Sequence, residues 1–145
     1  RMRNPHDSDR WDALIAELIG RNGGGDQYLY LQVSRGAEYG RNHAPLPDIE
    51  PTVFAFCARL PTPDPVIFER GIRCITTTDT RWSRCDIKSV SLLANVLLRQ
   101  LAIDAGAQET ILIRAGQLTE ASSSAVHVVI DGVLIAPPNS APWAP

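Results

Sequence analysis

Arginine outnumbers lysine thirteen to one in this 145-residue sequence, and the one lysine, Lys88, stands in the phrase Arg84-Cys-Asp-Ile-Lys-Ser-Val-Ser-Leu-Leu-Ala-Asn95. The two cations are not chemically equivalent. A guanidinium stays protonated, whereas an ammonium moved into a desolvated pocket can lose its proton and attack a carbonyl carbon. A plain surface position accounts for a single lysine as well, since lysines are mostly exposed. A second group is Arg41-Asn42-His43, where a permanent cation and a titratable donor stand two residues apart. In extended backbone such positions project to one side, so both could converge on one carboxylate; a solvated loop is the competing reading. A third is Leu118–Ala125, which holds one acid, Glu120, and three consecutive hydroxyls, Ser122, Ser123 and Ser124. A turn there could present a carboxylate to a protonated ring nitrogen, with hydroxyls and amides supporting a phosphate or other cofactor oxygen. Hydroxyls in a turn can also simply bond the local backbone.

The elements that must position these groups follow from periodicity and punctuation. Trp11, Leu14, Ile15, Leu18 and Ile19 recur at helical spacing, which predicts a helix over 9–21 capped by Ser8 and ended by Asn22-Gly-Gly-Gly25. That glycine run is not a phosphate cradle, because no strand leads into it and a helix ends where one should begin. Residues 28–35 and 52–60 read as strands, the second mostly buried, with a polar loop over 36–50 between them. Pro61-Thr-Pro-Asp-Pro65 is stiff and extended, the best linker between two lobes. Beyond it, 66–70 and 71–77 read as strands and 90–105 as a helix ended by Gly106, with Leu93, Val96, Leu97, Gln100 and Leu101 on one side. A strand over 109–114, a turn at 115–117 and a hairpin of 125–130 with 133–135 around Asp131-Gly132 complete the order. Two α+β lobes suit this order better than a doubly wound sheet.

Composition narrows the function classes. Apolar residues at 44% and charged residues at 21% are ordinary for a globular protein. A net charge of -2 offers no electrostatic footprint for nucleic acid or an anionic membrane. No apolar run has the length to cross a bilayer, and no signal-peptide core stands at the N-terminus. Cys57, Cys74 and Cys85 form an odd set without C-x-x-C spacing, which argues for reduced thiols in a cytoplasmic protein and against a disulfide framework or a zinc site. Cys85 is expected to be a small buried apolar residue.

Taken together, Tyr28-Leu-Tyr-Leu-Gln-Val-Ser-Arg-Gly36, Arg41-Asn-His43, the lysine phrase 84–95 and Thr119-Glu-Ala-Ser-Ser-Ser124 resemble the D-amino-acid aminotransferases. These belong to the fold type IV pyridoxal-phosphate enzymes, together with branched-chain aminotransferases and aminodeoxychorismate lyase. The resemblance runs in the family's order across nearly the whole chain, with Ser91, Ala94, Ala121 and Ala125 as departures from the usual residues. It implies a two-lobed α+β fold, incomplete at both ends: residues 1–60 in the small N-terminal lobe, 61–65 as linker, and 66–145 opening the larger cofactor-binding lobe. It implies pyridoxal 5'-phosphate as cofactor, Lys88 as the Schiff-base lysine and Glu120 at the pyridine nitrogen. Ser122, Ser123 and Ser124 would shape the cofactor turn, and Arg41 and His43 would bind the substrate carboxylate from the neighbouring subunit of a homodimer. The implied reaction moves an amino group between a D-amino acid of the D-alanine type and a 2-oxo acid. A branched-chain L-amino-acid aminotransferase, an aminodeoxychorismate lyase or a non-catalytic truncated lobe are the alternatives.

Overall fold

The computed structural model describes residues 2–40, 43–44 and 46–138. The chain divides into two units, Arg1–Pro63 and Asp64–Pro145. In the first, helix α1 (Ser8–Arg21) precedes strands β1 (Gln27–Ser34) and β2 (Thr52–Arg59), which pair antiparallel from Gln27↔Arg59 to Ser34↔Thr52. The helix starts one residue earlier than periodicity predicts. Asp7, not Ser8, is its cap, and the Asp7 carboxylate accepts from the Arg10 N–H at 2.8 Å.

Strand alternation sorts this small sheet into two faces. Leu29, Leu31, Val53 and Ala55 line an apolar groove together with Trp11 and Leu18 of α1. Tyr28, Tyr30, Phe54 and Phe56 gather on the other face, with the directly opposed Tyr30 and Phe56 rings stacked at 5.2 Å. Every β2 residue is half-buried or exposed. The expectation of a mostly buried strand fails because, among the described residues, α1 is the one helix that covers this two-stranded sheet.

The second unit opens on α2 (Pro65–Arg70), where a strand was predicted. The reason is local: the Asp64 carboxylate accepts from the Val66 N–H at 3.0 Å, and Pro65 takes the first helical position. Proline suits that position because its missing N–H would go unpaired there anyway. Pro65 thus belongs to a helix, not to a linker. Strand β3 (Cys74–Thr78) pairs parallel with β4 (Glu109–Arg114), and β4 pairs antiparallel with β5 (Gln117–Ala121), in the order β3-β4-β5. Between β3 and β4 runs α3 (Leu93–Asp104), making a strand–helix–strand crossover that carries Lys88 in the segment before the helix. Strands β6 (Val128–Ile130) and β7 (Val133–Ile135) form the expected hairpin, with Asp131 and Gly132 at φ 51 and 78°.

The core of this unit is Leu98 and Ala102 of α3 against Leu112 of β4 and Ala121 of β5. The predicted apolar side of α3 is therefore not the packed one: Leu93, Val96, Leu97 and Leu101 are all exposed. Hydrogen bonds select the packed line instead. Thr110 Oγ1 donates to the Leu98 carbonyl at 2.8 Å, and Asn95 Nδ2 donates to the Ser122 carbonyl at 2.9 Å. No helix among the described residues is long and apolar enough to cross a membrane.

Candidate active site

A cleft of about 960 Å³ lies in the second unit, walled by the segment after β3, the first turns of α3 and the turn after β5. Lys88 and Glu120 both line it, as do Ser122, Ser123 and Ser124. Five of the seven residues singled out from the sequence therefore share one concavity. Lys88 is exposed and makes no ion pair among the described residues. Glu120 is on strand β5, not in the turn where the sequence suggested it. Arg41 lies outside the described residues, and His43 is exposed in the first unit. Cys85 also lines the cleft and is exposed, so the expectation of a buried thiol is corrected; its Sγ donates to the Trp82 carbonyl at 3.1 Å.

The chain reaches this cleft at the carboxyl end of β3, a usual place for a site in a parallel pair. Asp79 follows β3 directly, and its side chain is only 1% exposed. Its carboxylate accepts from Arg81 Nε at 3.0 Å, Arg81 Nη2 at 3.1 Å and Thr119 Oγ1 at 2.9 Å, and pairs with Arg114 at 3.1 Å. Burial alone raises a carboxylate pKa; here the bonds from Arg81 and Thr119 outweigh it and hold Asp79 down to about 2. Arg81 Nη1 in turn donates to Glu120 Oε2, so the cleft acid is tied to the buried one through a single guanidinium.

The serine turn has its own anchor. Glu109, buried at the start of β4, accepts the hydroxyl protons of Ser122, Ser123 and Ser124 and the Thr110 N–H. Burial works against the ionised form, but these donors prevail and lower Glu109 to about 2. The Ser122 N–H donates to Thr110 O at 2.9 Å and the Ala121 N–H to Ser124 O at 3.0 Å, which closes the turn onto the sheet. Among the described residues, the three hydroxyls donate to Glu109 and not to the local backbone. Each has one proton, and each proton goes inward.

Sequence reasoning missed Asp79, Arg81 and Glu109. Asp79-Thr-Arg81 is an i, i+2 acid–cation pair just past a strand, and Glu109 is an acid opening an apolar strand. Those are the signals that were available, and neither is distinctive without knowing which neighbours the fold brings up.

Among protein families, the amino-transferase class IV model matches residues 1–142. A D-alanine aminotransferase of Staphylococcus epidermidis is 40% identical over 126 residues, 86% of this chain and 44% of that protein. A D-alanine aminotransferase of Listeria innocua is 40% identical over 133 residues, 90% of this chain and 45% of that protein. The chain thus spans about half the length of the curated relatives it matches. A branched-chain amino acid aminotransferase of Escherichia coli superposes with a TM-score of 0.80 at 21% identity, over 95% of this chain and 47% of that one. A branched-chain aminotransferase of Thermoproteus uzoniensis with norvaline gives 0.76 at 18% identity, over 94% of this chain and 47% of that one. At such identities the superpositions establish the α+β fold of these enzymes and nothing finer.

Proposed function

This chain belongs to the class IV amino-transferases, and from that premise we propose that it forms the lysine-bearing part of a pyridoxal-phosphate transaminase acting on D-amino acids. The observation that carries the reading is one cleft lined by both an amine, Lys88, and an arginine-tethered carboxylate, Glu120. These fit the aldehyde and the ring nitrogen of the cofactor. For the phosphate, the amides of the serine turn are better placed than its hydroxyls. With their protons committed to Glu109, the three serine hydroxyls can only accept, and a phosphate needs donors. The N–H groups of Ser123 and Ser124, which have no partner among the described residues, are the donors this turn can offer.

When bound, pyridoxal phosphate supplies an electron-withdrawing ring that stabilises the negative charge left at a substrate α-carbon. The chain's own residues do the rest. Lys88 is the amine that would hold the cofactor at its aldehyde carbon and, when neutral, would take up and deliver the substrate α-proton. Glu120 would keep a proton at the ring nitrogen by accepting its hydrogen bond. Arg41 and His43 bind the substrate carboxylate from a neighbouring copy in a homodimer, a role the family resemblance supplies.

The D-amino-acid assignment draws on relatives near 40% identity that are D-alanine aminotransferases, and on Arg41 and His43. The intact gene product carrying this chain should transfer the amino group of D-alanine to 2-oxoglutarate and leave L-leucine untouched. Turnover of L-leucine without D-alanine turnover would instead make it a branched-chain enzyme.

A further inference from the structure

A guanidinium offers five N–H donors in one rigid plane, and how Arg81 distributes them is unusual. Nε and Nη2 fork onto Asp79 at 3.0 and 3.1 Å, and Nη1 alone reaches Glu120 Oε2. The Asp79 end is immobilised from three strands. It follows β3 and donates its own N–H to Ile113 O of β4 at 2.8 Å, while Thr119 of β5 bonds its Oδ2 at 2.9 Å. Arg114 of β4 closes the array, pairing with Asp79 at 3.1 Å and donating to the Arg81 carbonyl at 2.9 Å. Exposure rises along the chain of contacts: 1% for the Asp79 side chain, 8% for Arg81 and 47% for Glu120. Glu120 Oε1 has no hydrogen-bond partner among the described residues. The array therefore fixes one oxygen of a cleft carboxylate and leaves its twin unpaired.

We propose that Arg81, clamped by Asp79 and Thr119, is the positioning residue for Glu120, holding Oε2 so that Oε1 meets the ring N–H of a bound pyridoxal phosphate. The proposal rests on the pyridoxal-phosphate reading of the cleft. Its physical content is orientation: an untethered glutamate keeps its rotamers and must lose that freedom when the ring arrives, whereas a tethered one has already lost it. Lysine at position 81 keeps the charge but cannot grip two carboxylates in one plane.

The test is a double-mutant cycle on the intact gene product, with pyridoxal-phosphate affinity read from its visible absorption and ring-nitrogen protonation read from the 15N shift of labelled cofactor. Arg81→Lys should weaken binding by about tenfold, within the range for residues that orient a ligating group. Thr119→Val, which loosens the clamp without touching a charge, should weaken it by about threefold, as for one lost hydrogen bond. Both losses should vanish in a Glu120→Ala background, because both act through Glu120. The same losses in either background would make Arg81 a structural ion pair only, and unchanged affinity and 15N shift in both variants would also overturn the proposal. Circular dichroism checks that each variant folds; Thr119→Val alone decides the matter if Arg81→Lys does not. A wild-type protein lacking the absorption band, or keeping it in Lys88→Ala, removes the cofactor reading and this proposal with it. A Lys88-dependent band without a Glu120-dependent effect removes this proposal alone.

Discussion

Ser124 Oγ donates to Glu109 Oε2 at 2.9 Å across fifteen residues of sequence, and Ser123 does the same at 2.8 Å. An ionised carboxylate accepts on every lone pair, so it can take all three hydroxyl protons at once. Glu109→Gln places an NH₂ against hydroxyl donors in a buried site. It should destabilise the protein by about 2 kcal/mol, the usual magnitude for a buried polar group left without its partner. Urea denaturation measures this, and an unchanged midpoint would show that the turn does not depend on the acid.

Asp79 and Glu109 give stability a defined pH dependence. Both carboxyls sit at about 2 in the folded chain, below their ordinary values near 4. The stabilisation they confer is fully present above the unfolded value and disappears as pH falls toward the folded one. Stability should therefore drop between about pH 4.5 and about pH 2. Arg114 and Arg81 stay charged throughout, so protonating Asp79 leaves their side of the array uncompensated. Denaturation midpoints taken across that window should fall less steeply in Asp79→Asn, which has no such proton to gain, with the Glu109 contribution remaining.

Helix α1 distinguishes two adjacent caps. Asp7→Ala should cost about 1 kcal/mol, and Ser8→Ala close to nothing, because only Asp7 bonds the first turn. Thermal melts of the two variants compare them side by side; equal losses would mean that the cap bond is not the stabilising interaction.

The turn joining β4 to β5 holds Ala115 and Gly116 at φ 49 and 77°, the left-handed pair of a two-residue hairpin. Alanine is strained there by about 1 kcal/mol, and Asn tolerates the conformation better. Ala115→Asn should raise stability by up to that amount, read as a higher melting temperature. Because Ala115 does not line the cleft, the substitution should also leave cofactor binding unchanged.

Legibility in the sequence followed how local the cause was. Asp131-Gly132 announced its hairpin, and Gly106 the end of α3, because two or three residues suffice to decide either. Lys88, Glu120 and the serines were readable as a set only through the family's phrases, since thirty-odd residues separate the amine from the acid. The failures share one form. α2 was hidden because Asp64-Pro65 looked like linker chemistry when it was a helix cap with proline at the first position. The packed line of α3 was missed because Leu93, Val96, Leu97 and Leu101 are more apolar than the Asn95, Leu98, Ala102 line that the sheet actually receives. The buried acids were missed because Asp79 looks solvated until Arg114 and Thr119 reach it from β4 and β5, and Glu109 until the serine turn folds onto it.

The functional reading stands or falls with Lys88 as the amine that takes the cofactor. Borohydride reduction of the intact gene product incubated with pyridoxal phosphate, followed by peptide mass analysis, locates that amine. One phosphopyridoxyl mass addition is expected on the peptide containing Lys88, and none there in Lys88→Ala. A reduced adduct found only on other amines, with the Lys88 peptide unmodified, would refute the assignment.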